Sequence, residues 1–247
     1  MTIAFVNQGT AGDQIADSIT PAMPASIVAG NLLILHTAYK YPATTTLNTP
    51  SGWTQLATVA SGTGTGIDAG EIGQAVYYKV AAGSDAAPTF SQTGNDSSAW
   101  TVFQFSCDAG KVWDIASTTG SDTTAGTAIS ITGAANPGLI AGDVVLMMMA
   151  CNTDLATYGT HALAATGATF GAITERSDYG WTTGQDGNRW AGECSVSTGP
   201  ASAAPVFTST ATASVSNNNG IFMRLRELPL KQNNIVIGQH LARAASW

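Results

Sequence analysis

Short runs of β-branched and aromatic residues alternate along this chain with clusters of Gly, Pro, Asn, Asp and Ser, and no stretch carries the spacing of a long amphipathic helix. The runs predict strands over Ile3–Asn7, Ser18–Thr20, Leu32–Tyr39, Trp53–Ala60, Ala75–Val80, Ala87–Ser91 and Trp100–Ser106. A second set follows over Val112–Ala116, Thr127–Thr132, Val144–Cys151, Phe170–Glu175, Arg189–Ser195, Ala204–Thr208 and Ile221–Arg226. Leu32–Tyr39 stands apart because it is apolar on both faces. Leu32, Ile34 and His36 point one way and Leu33, Leu35 and Thr37 the other. A half-exposed strand would alternate. This one is expected mid-sheet, its second face covered by another part of the chain or by a neighbouring subunit.

The same stretch returns. Ala29-Gly30-Asn31-Leu32-Leu33-Ile34 reappears as Ala141-Gly142-Asp143-Val144-Val145-Leu146, and Ser18-Ile19-Thr20 as Ser130-Ile131-Thr132, at a constant offset of 112. Ala86-Ala87-Pro88-x-Phe90 returns as Ala203-Ala204-Pro205-x-Phe207, Trp53-x-x-Leu56 as Phe170-x-x-Ile173, and Phe103-x-Phe105 as Met223-x-Leu225. The offset grows only between strands, as it does when insertions are confined to loops. The chain therefore reads as all-β: two tandem, internally duplicated antiparallel β-sandwich modules, Met1–Ala109 and Gly110–Leu230, with an extended C-terminal arm from Lys231.

Composition adjusts this picture in three ways. Charged residues make up only 10%, far below the usual quarter, and Thr, Ser, Ala and Gly fill the shortfall. The net charge of −7 is uneven: four of the nine basic residues but one of the sixteen acidic ones lie from Gly220 onward. An acidic body excludes nucleic-acid binding through a basic face. The longest apolar run, Val144–Cys151, is too short to span a bilayer, and the start of the chain lacks signal-peptide features. Cys107, Cys151 and Cys194 are odd in number and show no CxxC pairing, so they are expected as free thiols in a reducing cytoplasm.

The pattern Val28-Ala29-Gly30-Asn31-Leu32-Leu33-Ile34, Pro50-Ser51-Gly52-Trp53-Thr54 and Tyr78-Lys79-Val80-Ala81, with a closing aromatic strand, resembles a β-sandwich module recurrent in tailed-phage structural proteins. The resemblance covers most of the first module and, more weakly, the second, which lacks the Ser-Gly-Trp-Thr element. It implies a jelly-roll or immunoglobulin-like sandwich and a role as a virion, head-decoration or tail component.

Chemistry is sparse. The three histidines, His36, His161 and His240, accompany no HExxH, GxSxG or phosphate-loop pattern. His36 stands where the second module has Met148, and His161 is expected in a loop. No catalytic residue, cofactor or metal is assigned; Asp178 and Asp186 fit no EF-hand spacing. The segment Ser177–Asn188 reads as a loop carrying Tyr179 and Trp181 beside Asp, Gln and Asn. Such aromatics serve sugar stacking, or else packing onto the sandwich or a neighbouring subunit, and the second use is preferred. In the arm, Ile235, Val236 and Ile237 have the composition of an added strand, Leu241 and Trp247 are apolar anchors, and Arg243 suits an acidic surface. The expectation is a non-enzymatic virion protein, assembled in the host cytoplasm, that decorates or cements the capsid. Its partners would be sister copies, a trimer among the forms considered, and the major capsid protein, with no nucleic acid and no membrane. The alternative is a tail or tail-fibre component binding host carbohydrate through Tyr179 and Trp181.

Overall fold

The computed structural model describes residues 3–40, 46–64, 70–94, 97–153 and 157–230. Among them there is no helix; every element is a strand. The first half supplies β1 (Ala4–Gln8), β2 (Gly12–Gln14), β3 (Ser18–Ile19), β4 (Leu32–Lys40), β5 (Thr46–Leu47), β6 (Thr54–Ser61), β7 (Ile72–Val80), β8 (Phe90–Thr93) and β9 (Ser98–Ser106). The second supplies β10 (Lys111–Asp122), β11 (Gly126–Thr132), β12 (Val144–Cys151), β13 (Tyr158–Ala164), β14 (Thr169–Phe170), β15 (Thr174–Trp181), β16 (Gly187–Thr198), β17 (Val206–Val215) and β18 (Asn218–Pro229).

Each half pairs a large antiparallel sheet with a three-stranded one. In the first the large sheet runs β1-β9-β4-β7-β6, with β2 also on β9, and the small sheet runs β3-β8-β5. In the second they run β10-β18-β12-β16-β14, with β15 also on β16, and β11-β17-β13. The pairing order is the same, and β4 and β12 hold the same central place. The turn that opens each central strand is also the same. Asn31 N donates to Val28 O at 3.1 Å and Asp143 N to Ile140 O at 3.2 Å, with Gly30 and Gly142 at φ +87° and +93°. A positive φ at the third turn position is the type II geometry that glycine adopts without strain, which is why Ala-Gly-(Asn/Asp) recurs.

The central strands are buried on both faces, Val144 at the start of β12 being half-buried. Leu33 and Leu35 enter the core of the first sandwich with Trp53, Tyr77, Phe90 and Trp100; Val145, Met147 and Met149 enter that of the second with Trp190, Phe207 and Phe222. The opposite faces meet each other. Leu32, Ile34, Phe103 and Phe105 of the first large sheet pack on Leu146, Met148, Ile221, Met223 and Leu225 of the second. The two large sheets thus stack face to face, with a small sheet outside each. The cover for the second apolar face comes from the other half of the same chain. Only Cys107 to Gly110 separates β9 from β10, and this link is tied down by Lys111 N to Asp108 O (3.2 Å) and Asp108 N to a Glu227 carboxylate oxygen (2.9 Å).

Several sequence expectations need correction. Phe170–Glu175 is not one strand: Phe170 closes the two-residue β14, and β15 starts only at Thr174. His161 lies in β13, a strand rather than a loop, which the Ala-, Gly- and Thr-rich composition concealed. Ser177–Asn188 is mostly strand, with β15 reaching Trp181 and β16 beginning at Gly187. Asn188 and Asp178 pair across the ladder, Asn188 Nδ2 donating to Asp178 Oδ1 at 2.9 Å, while Thr182 and Thr183 between the two strands are exposed. Phe170 is only partly buried, whereas Trp53 is 7% exposed.

Truncating Trp53 to Ala should lower stability by about 3–5 kcal/mol, measured by denaturant unfolding. Cys107 is half-buried, Cys151 and Cys194 are buried, and none forms a disulfide. Burial pushes the Cys194 thiol up to about 12. Alkylation of the native protein should therefore modify Cys107 first and reach all three only after unfolding.

Candidate functional site

The polar and aromatic groups singled out by the sequence converge on the seam between the two large sheets. The faces presented by β4 and β12 begin apolar, with Leu32 and Ile34 opposite Leu146 and Met148, and turn polar further along. His36, at the position of Met148 in the other half, has no exposed surface. Its Nε2 lies 2.8 Å from Gln74 Oε1; Gln74 Nε2 donates to Asn219 Oδ1 at 2.8 Å; Asn219 Nδ2 donates to the Ile72 carbonyl at 2.8 Å. A carbonyl can only accept, so the whole relay has one polarity. Asn219 turns its amide nitrogen to Ile72, Gln74 turns its oxygen to His36, and His36 Nε2 carries the proton. Burial, then the nearby Arg189 charge, hold the imidazole down to about 3, against the weaker opposing bond to Gln74. His36 is neutral.

Arg189 crosses the seam from β16. It is fully buried, and its Nη2 donates to Trp100 O at 2.8 Å and to Thr101 Oγ1. Thr101 is the cross-strand partner of His36. Tyr179 lies beneath the guanidinium, 5.4 Å from ring centre to Cζ. Burial lowers the guanidinium to about 9, so it stays charged at neutral pH. Lys40, buried as well, donates to the Asn152 carbonyl at 3.2 Å; these two residues are themselves related by the offset of 112.

Tyr179 and Trp181 are drawn into this seam and do not stand on an open loop. The Tyr179 hydroxyl donates to Asp13 Oδ1 at 2.5 Å, bridging β15 to β2. Trp181 is 1% exposed, and its indole N–H is shared between Ser97 Oγ and Gln185 O, each at 3.0 Å. Arg176 on the same strand stacks 4.1 Å over Phe5 of β1. One strand therefore clamps the free edge of the first half. The remaining candidate residues, Ile235, Val236, Ile237, Leu241, Arg243 and Trp247, lie outside the described residues.

A second cluster, not foreseen from sequence, joins the two sheets of the second half. Ser209 Oγ lies 3.2 Å from His161 Nδ1, and His161 Nε2 lies 3.6 Å from Glu175 Oε2. Three such groups in line invite comparison with a nucleophile, base and orienter. Here, however, the serine proton goes to the Gly159 carbonyl at 3.0 Å, and the Trp190 indole already holds Glu175 Oε2 at 2.9 Å. The imidazole packs against Trp190 at a tilt of 40°, with centroids 4.4 Å apart. The cluster reads as bracing between β13, β15 and β17. Asp178 is likewise committed, to Asn188 and to Tyr158 N, and among the described residues no three His, Cys, Asp or Glu side chains gather as metal ligands. An open cleft of about 760 Å³ at the end of the second half is lined by Leu163, Ala165, Ala168, Phe170 and Val206 with a few threonines, and by no charged group.

The seam sets a pH dependence. Because the folded His36 sits far below its unfolded value of about 6.5, the unfolded chain binds a proton that the native one refuses. Stability is thus fully present above that pH and falls as the pH drops toward 3, by up to about 1.4 kcal/mol per unit. His161, lowered by burial against the pull of Glu175, adds to the same trend. His36→Met, which copies Met148, should flatten the acid limb of a stability–pH profile; an unchanged slope would place the acid sensitivity elsewhere.

No protein-family model, no curated protein and no solved structure matches this chain.

Proposed function

We propose that this chain is a non-enzymatic structural protein of a tailed-phage virion, a decoration or cement protein on the head exterior. The observation that carries the reading is where its reactive side chains go. Lys40, Arg189, Tyr179 and Trp181 are spent on locking one half of the chain to the other, and His36 joins the lock through Gln74, which reaches Asn219. What they make is a four-layer slab cemented through its middle. Such a body suits bridging neighbouring shell subunits, where contact area itself adds stability to the particle. Its low charge suits close packing against sister copies and the major capsid protein. The carbohydrate-binding tail reading rested on Tyr179 and Trp181 as open stacking faces. With Trp181 enclosed and Tyr179 bonded to Asp13, it has no residue pair to rest on.

In this proposal the segment 231–247 reaches a neighbouring chain, with Ile235–Ile237 adding to a sheet edge and Leu241 and Trp247 as anchors. Two measurements test it. Stoichiometry in intact particles should give hundreds of copies; a handful would point to the tail. Truncation after Leu230 removes no described strand, so unfolding of the body should be nearly unchanged while particle occupancy drops sharply. Full occupancy by the truncated protein would remove the arm from the mechanism.

A further inference from the structure

Arg189 and His36 are left with complementary, unanswered hydrogen-bonding capacity. Among the described residues, Arg189 Nε and Nη1 are buried donors with no partner, and His36 Nδ1 is a buried group in the same condition. The relay from the Ile72 carbonyl fixes the proton on His36 Nε2, so Nδ1 offers a lone pair and needs a donor. The two groups are neighbours: Arg189 Nη2 holds the hydroxyl of Thr101, which sits directly across the ladder from His36 on the same face. Thr101 cannot serve both, because its own proton goes to the Trp100 carbonyl at 2.8 Å.

From this pattern we infer that the seam contains a built site for one water molecule, bridging the Arg189 guanidinium to His36 Nδ1. The ligand must accept from a cation and donate to an imidazole lone pair at once. Water does both. A halide or carboxylate meets the first demand but would face the His36 lone pair with another. An ammonium-type cation meets the second and is repelled by Arg189. Among the described residues the site has no second copy, since Met148 occupies the equivalent place in the other half and offers no comparable partner. The two halves are therefore held partly by solvent, at the point where the seam changes from apolar to polar.

The test uses the intact chain. A high-resolution crystal structure, with bromide replacing chloride in a second crystal, should show one solvent peak within hydrogen-bond reach of Arg189 and His36 Nδ1 and no anomalous signal there. The ring nitrogen shifts of His36 in solution should report the Nε2–H tautomer. A direct Arg189–His36 bond with nothing between, a bromide peak, or the Nδ1–H tautomer would each overturn the inference. In His36→Met the peak should disappear while the Arg189–Thr101 bond remains; a peak retained at full occupancy would mean that His36 does not hold the water. Should that variant fail to fold, the measurements on the native chain decide alone.

Discussion

The fold depends on two strands that cannot tolerate water on either side. β4 is buried along its whole length and β12 at every residue after the half-buried Val144, and each large sheet therefore needs cover on both faces. A small three-stranded sheet covers one. The other is left apolar from Leu32 to Ile34 and from Val144 to Met148, and among the described residues it packs on its counterpart. Stacking the two large sheets satisfies both demands in one step. Everything else in the arrangement, including the small sheets pushed outward and the first-half edge clamped by β15, follows from that contact.

Burying a cation and a histidine in such a contact is not the obvious way to strengthen it, since apolar replacements often pack as well or better. The polar relay does something apolar side chains do less well: it has direction. Gln74 and Asn219 each accept from one neighbour and donate to the next, so a slip of one residue between the sheets would strand several buried groups at once. The halves differ in a coordinated way elsewhere too. Asp143 is 1% exposed and receives Arg226 at 2.7 Å on each oxygen, whereas the first half has Asn31 and Ser106 at the corresponding places. Charge and counter-charge occur together in one half and are both missing from the other.

Much of this was legible in the sequence because it rests on local rules. Repeat, turn glycines and two-sided central strands all register in residue order, and the bounds of β12 match the predicted run from Val144 to Cys151. What stayed hidden rests on partners distant in sequence. β13 is Tyr-Gly-Thr-His-Ala-Leu-Ala, and neither its apolar content nor its β-branching marks a strand; it forms because β17 pairs with it and the ring of Trp190 packs on His161. The aromatic residues of β15 looked like surface features because their neighbours are Asp, Gly and Thr. Their true environment, Asp13 and Ser97, lies more than eighty residues away. The odd man out at the repeat, His36 against Met148, was visible, but the reason for a histidine there needed Gln74 and Asn219 to be brought alongside.

The four-residue link from Cys107 to Gly110 gives the seam a property that its chemistry alone would not. Two separate subunits meeting through a face that is apolar at one end and polar at the other would have to find each other at cellular dilution. Tethered faces instead meet at an effective local concentration of roughly millimolar or above. Re-closure after any opening is then a first-order event, independent of how much protein is present. The tether in this way lightens the demand on adhesion, leaving the composition of the seam free to favour alignment as well.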